Sequence, residues 1–141
     1  PSPAGGCLLC EKEFAAKLRD LFRHEKNISE QDIELLKIGR NFRINNTKII
    51  VGRNHEENLM IKKLAGKDDL LLEAKDIPSP ITLVRGKANK IAIEKAAEIT
   101  ASYSDAKAET VNINILNRKK KITAQRAGKE EIEKFRITAK K

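Results

Sequence analysis

The chain switches between two hydrophobic rhythms, and the switches mark its elements. From Glu11 to Glu25, the residues Phe14, Leu18, Leu21 and Phe22 recur at helical spacing, which predicts an amphipathic helix. Ser29-Glu30-Gln31-Asp32 has capping-box spacing, so a second short helix opens there, runs through Ile33 and Leu36 and stops at Gly39. Phe42-Arg43-Ile44 and Thr47 to Val51 flank Asn45-Asn46. Asn tolerates positive φ at both central positions of a tight turn, so this segment reads as a hairpin. Helical spacing returns over His55 to Ala65, with Gly66 as the expected stop. Within Asp69 to Ala74, the apolar run Leu70-Leu71-Leu72 suits a central strand buried on both faces. Pro78-Ser79-Pro80 forces an extended turn before a strand at Ile81 to Val84. Asn89 to Ser102 is a helix whose many alanines let it lie close against a sheet. Val111, Ile113 and Ile115 alternate with Asn112 and Asn114, giving a strand with one apolar and one polar face. A basic turn, Asn117 to Lys121, leads to a strand near Ile122-Thr123-Ala124, and a last helix covers about Lys129 to Phe135.

The order ααββαββαββα predicts an α+β fold, with a largely antiparallel sheet of about six strands and helices packed mainly on one face. At 141 residues the chain is long enough to bury an ordinary core. It divides into a linker with a Cys pair (1–10), a helical lead-in (11–40), a sheet-bearing domain (41–137) and a tail (138–141). Aromatics make up only 4% and Trp is absent, so the core is aliphatic and stacking platforms for single-stranded bases are scarce.

Charge adds a second pattern. Lys and Arg total 29 against 20 Asp and Glu, for a net +9. Three acid-free windows carry +14 of this, leaving −5 for the rest. The first lies between Glu34 and Glu56, the second between Asp76 and Glu94, the third between Glu109 and Glu130. Solvating charge is normally mixed in sign along a chain, so this segregation points to a cationic surface on strands and turns that would neutralise phosphates. If the helices cover one face of the sheet, the other face becomes that surface. Solvated basic loops are the alternative reading. Gly39-Arg40, Gly52-Arg53-Asn54 and Gly86-Lys87 each set a basic residue beside a Gly, where a bare backbone can approach a phosphate. The candidate nucleic-acid contacts are Arg40, Arg43, Arg53, Asn54, Lys87, Arg118, Lys119, Lys120 and Lys121.

Cys7-Leu8-Leu9-Cys10 has the gap that lets two sulfurs share one metal or form a redox pair, but no second Cys pair completes a zinc set. A half-site completed by another domain, one reactive thiol, and plain packing all remain open. Glu56-Glu57 is read as carboxylates favouring a helix N-terminus, and Tyr103 as helix-end packing. There is no P-loop, no dinucleotide-binding glycine fingerprint and no Ser/His/Asp arrangement. No apolar run reaches the roughly 20 residues of a membrane span, and no signal sequence opens the chain. With only two cysteines, a cytoplasmic setting is expected.

Ile49-Ile50-Val51-Gly52-Arg53-Asn54 with Glu57-Asn58, then Asp69 to Ala74 with Asp76-Ile77-Pro78-Ser79-Pro80, then Ala96-Ala97 through Tyr103-Ser104 and Ala106-Lys107, resemble the RNA-binding domain of NFACT proteins. The resemblance covers roughly residues 41 to 125; Glu73 stands where that pattern has a His. The stretch from Ser2 to Leu9, with Leu18 to Leu21 and Leu35 to Arg43, is similar to tRNA thiouridine synthetase-like proteins, in which an ATP-using PP-loop domain precedes an NFACT-type domain. The resemblance implies a tRNA partner, a possible sulfur-donor protein, and ATP chemistry in a preceding domain, since no SGGxDS-type motif occurs here. It makes Cys7 a candidate persulfide carrier or cluster ligand; Cys10 stands where such proteins carry Thr. No cofactor is expected in this segment itself. NFACT proteins also act in ribosome-associated quality control, so a module binding an RNA–protein assembly is the alternative function.

Overall fold

The computed structural model describes residues 7–85, 89–116 and 118–137, with the side chains of 7–11 and 129 excepted. The elements run α1 (Cys7–His24), α2 (Glu30–Leu36), β1 (Arg40–Ile44), β2 (Thr47–Val51), α3 (His55–Leu64), β3 (Leu70–Ala74), β4 (Thr82–Arg85), α4 (Lys90–Ser102), β5 (Thr110–Ile115), β6 (Lys120–Gln125) and α5 (Lys129–Glu133). This is the order that the hydrophobic rhythm predicts.

The six strands form one antiparallel sheet in the order β1-β2-β4-β3-β5-β6. Register follows side-chain alternation. Phe42, Ile49, Val51, Val84, Leu72, Ala74, Ile113 and Ile115 share one face and pack with the alanines of α4 and with Ile132 of α5. Thr100 of α4 donates to the buried Thr82 hydroxyl at 2.6 Å, so this polar pair under the helix is satisfied. On the opposite face, Ile50, Leu83 and Ile81 meet Leu35 of α2 and Ile61 of α3.

α4 carries most of the helix-to-sheet packing, lying across β2 to β6 on the first face. The lead-in helices and α3 form a smaller layer over the β1–β2–β4 half of the second face. That second layer corrects one expectation: the face away from α4 is not a bare cationic surface. Only its β3–β5–β6 half stays open, and it presents Glu73, Asn112, Asn114, Lys121 and Thr123, a mixture of polar groups with little net charge.

Local signals explain the element ends. Ser29 accepts from the Asp32 N–H while Asp32 accepts from the Ser29 N–H, a complete capping box. Asn45 and Asn46 take φ of 48° and 69°, the two left-handed positions of the β1–β2 turn. Two ends differ from expectation. α1 begins at Cys7, because the apolar run after Gly6 extends the helix; Cys7 and Cys10 therefore lie in its first turns rather than in a linker. Gly66 does not end α3 by a left-handed turn. Ala65 leaves in an extended conformation, and the Gly66 N–H is held by Asp69 Oδ2 at 2.7 Å.

Candidate nucleic-acid interface

Antiparallel pairing sends the connections to two opposite ends of the sheet. At one end sit the start of β1, the β2–α3 turn, the β3–β4 loop and the α4–β5 loop. At the other sit the β1–β2, α3–β3 and β5–β6 turns. Strands of four to six residues, most of them five or six, keep these ends about 17–20 Å apart.

The first end holds an open groove of about 300 Å³, whose lining includes Arg40, Arg53, Asn54, Pro78, Tyr103 and Asp105. It unites the three segments Gly52-Arg53-Asn54, Pro78-Ser79-Pro80 and Tyr103 to Asp105, which are distant in sequence. Asn54 caps α3, accepting from the Glu57 N–H at 2.9 Å, and itself lines the groove. Glu57 binds the corner together. It accepts from the Arg53 N–H at 2.9 Å and from the Arg53 guanidinium at 3.0 and 2.6 Å, and it also accepts from the Gly39 backbone. The Arg53 side chain, more than any other cause, holds the Glu57 carboxyl down at about 2. Asn58 Oδ1 then accepts from the Ile81 N–H at 3.0 Å and ties the β3–β4 loop to α3.

The two glycines here have structural reasons. Gly39 lies at φ +70°, and any side chain on Gly52 would collide with Asn58 Oδ1. Close packing, not an open approach for phosphate, explains both. The guanidinium of Arg40 lies over the Tyr103 ring, 4.4 Å from its centroid. Tyr103 is therefore part of the groove wall as well as of the core margin, and among the described residues no carboxylate pairs with Arg40. Tyr103 and Asp105, which line the groove, and Glu57, which braces Arg53 beside it, are residues that the sequence pattern did not mark as such.

The second end carries Arg118, Lys119, Lys120 and Lys121, all exposed around the β5–β6 turn. Arg118 reaches across to the Lys67 carbonyl at 3.5 Å. Lys119 holds φ of 53°, a left-handed position. Lys120 pairs with Ile115 and Lys121 with Asn114, so their side chains leave on opposite faces of the sheet.

Arg43 is committed to internal contacts, donating to the Asn46 carbonyl of the β1–β2 turn at 3.2 Å and to α1. Its Nε donates to Asp20 Oδ1 of α1 at 2.9 Å, and its side chain is 9% exposed, so it fastens α1 to β1. Lys48 and Arg85 lie beside it in register across β1, β2 and β4. Arg85 is paired with Asp32 at 3.2 Å and Asp69 at 3.8 Å. Lys48 is buried, its Nζ finds no hydrogen-bond partner among the described residues, and desolvation pushes its pKa down to about 7. Lys87 lies outside the described residues, as do the side chains of Cys7 and Cys10. Among the described residues no helix is long and apolar enough to cross a membrane.

No curated protein sequence matches the chain closely enough to count as a relative. The fold is similar to the C-terminal region of the fibronectin/fibrinogen-binding protein from Streptococcus suis, with a TM-score of 0.63 at 18% identity. The similarity covers 88% of this chain and 61% of that one, so the chain spans about three-fifths of that structure. The family model described as the NFACT protein RNA binding domain matches residues 39–136. That span runs from the glycine that opens β1 to the bridge between Phe42 and Arg136 that closes over it. By that match, which takes in the whole sheet and both of its ends, the chain belongs to the NFACT RNA-binding domain family.

Proposed function

We propose that the domain grips folded tRNA from both ends of its sheet and positions it for a uridine-thiolating, ATP-dependent domain of the same protein. The observation that carries the RNA contact is the split of the basic residues. Arg40, Arg53 and Asn54 line the groove, while Arg118 to Lys121 project from the far turn. Contacts from Lys and Arg to phosphates orient the RNA without reading its sequence. Two patches separated by about 17–20 Å therefore favour shaped RNA over an arbitrary polyanion. Arg43, committed to Asp20, supports this surface by holding α1 to the sheet rather than by touching RNA. The thiolation setting rests on the resemblance of the lead-in to tRNA thiouridine synthetase-like proteins. There Cys7 is the candidate sulfur carrier, and Cys10 at most its partner in a thiol or metal half-site.

Titrating the chain with labelled tRNA at two salt concentrations, beside heparin as an unrelated polyanion, tests the RNA contact. The expected result is tighter binding to tRNA, with log K falling linearly against log salt. Arg53→Gln should weaken binding, measured at a temperature where the variant is still folded, because the loss of its bonds to Glu57 also lowers the melting temperature. Equal affinity for heparin and tRNA, or no effect of Arg53→Gln, would overturn the reading. For the thiolation setting, the full-length protein should incorporate sulfur into tRNA in the presence of ATP, and Cys7→Ser should abolish it.

A further inference from the structure

We propose that the groove at the first end binds one unstacked guanine, stacked on Arg40 and read by Asp105. The proposal rests on the RNA-binding reading and deepens it. A site built only for phosphate gains nothing from a carboxylate, which repels it, yet Asp105 lines this groove together with Arg40 and Arg53. Its backbone is fixed, the N–H donating to the Pro78 carbonyl at 2.9 Å, and the residue is exposed. A fixed, exposed carboxylate is an acceptor-only group seeking N–H donors.

The groove lining also supplies a plane. Arg40 lies over Tyr103 at 4.4 Å, and Tyr103 itself packs against the main core, so the guanidinium rests on a supported ring. Its outer surface is then available for a base, since guanidinium planes stack on nucleobases as aromatic rings do. The scarcity of aromatics elsewhere makes this Tyr–Arg pair the natural platform. A volume of about 300 Å³ sits at the small end of ligand sites, suiting one nucleoside rather than a duplex.

Guanine fits the polar chemistry best. Its Watson–Crick edge presents two adjacent donors, N1–H and N2–H₂, which a carboxylate accepts together. Adenine and cytosine present one amino group there, and uracil a single imide N–H. Reading that edge requires an unpaired base, so the recognised segment is a loop or a single-stranded end.

The test uses fluorescein-labelled uridine heptamers with U, A, C or G at the centre, titrated with the full chain and followed by anisotropy. The central G should bind about tenfold tighter than the others. Asp105→Asn should bring it to within about twofold of the rest while leaving the all-U heptamer unweakened. Tyr103→Phe, which keeps the stack, should preserve the G preference, and Tyr103→Leu should reduce it. Four equal affinities, or a G preference untouched by Asp105→Asn, overturn the guanine site. Binding of tRNA but of no heptamer also overturns it, while leaving RNA binding intact. Failure of tRNA and heptamers alike overturns both.

Discussion

The groove and the β5–β6 turn descend from windows of sequence that look alike, basic and free of acids, yet the fold treats them in opposite ways. Around the groove and the sheet beside it, local and tertiary contacts together bring an answer to almost every cation. Arg53 meets Glu57, Arg43 meets Asp20, Arg85 meets Asp32 and Asp69, Lys37 meets Glu34, and Lys48 is buried at a pKa of about 7. At the turn, Lys119, Lys120 and Lys121 stay in solvent, and no salt bridge to them occurs among the described residues. An acid-free stretch of sequence is therefore not an acid-free surface. The first region spends its charge on holding helices to strands and shaping a pocket. The second keeps its charge for the long-range attraction that steers a polyanion.

The largest expected effect tests the first half of that contrast. Lys48 should titrate near 7 when folded and near 10.5 when unfolded. Below pH 7 both states are protonated and the penalty for burying the charge is fully present. Between about 7 and 10.5 the unfolded chain holds the extra proton, so stability rises with pH, by up to about 5 kcal/mol in the limit set by the shift. Lys17, lowered chiefly by burial, acts in the same direction. Lys48→Met should remove most of this slope and raise stability at pH 6, as measured by urea melts across the range. A slope that survives the substitution would show that the cation is tolerated in place.

The second effect belongs to the turn. Lys120→Glu with Lys121→Glu should weaken tRNA binding about 100-fold and flatten the salt dependence by about two in log–log slope, while the melting temperature stays put. A fall in stability instead would mean that the turn, like the groove, uses its charge structurally.

Local chemistry made much of the fold legible. Ser29 and Asp32 signal a helix start three residues apart, Asn45-Asn46 signals a turn from its own φ preferences, and the Asn–Ile alternation fixes the faces of β5. All of these depend on neighbours in sequence. The groove was legible only as fragments. Arg40, Arg53 and Asn54 stood out as basic or polar residues beside glycines, but their meeting with Tyr103 and Asp105 depends on strand order. The crossing β2-β4-β3 leaves no trace in periodicity. Arg43 was misleading for the same reason: Asp20 lies 23 residues away, and nothing local foretells the pair. Glu57 looked like a generic helix-start carboxylate because its four nitrogen donors, three from Arg53 and one from Gly39, converge only once the β2–α3 turn folds back on the start of β1.

Glu57 gives the third test. Glu57→Gln keeps the shape but loses the charge-assisted bonds to Arg53, at a cost of about 2 kcal/mol. With a folded pKa of about 2 against 4.5 in the unfolded chain, the wild-type contribution is complete above pH 4.5 and is lost as pH falls toward 2. The variant should therefore be less stable at pH 7 and converge on wild type near pH 2. Released from its partner, Arg53 should bind tRNA no better, because the corner that aims it has loosened.

The smallest effect separates the two regions most sharply, because it has opposite signs for stability and binding. Lys119 sits at φ 53°, where a side chain costs about 1 kcal/mol or more and Gly pays little. The chain accepts that strain at the tip of its most exposed basic turn. Lys119→Gly should therefore stabilise the domain by about 0.5–1 kcal/mol, with the gain reduced by the added freedom of Gly in the unfolded chain. It should also weaken tRNA binding by roughly threefold to fivefold through the loss of one phosphate contact. Lys119→Asn, which tolerates the left-handed turn and likewise lacks the charge, should reproduce both changes. In the groove the reverse holds, since removing Arg53 or Glu57 loses stability and binding together. Were Lys119→Gly to lose stability as well, the turn's cations would prove as structural as those beneath α1, and the division of labour between the two ends would fail.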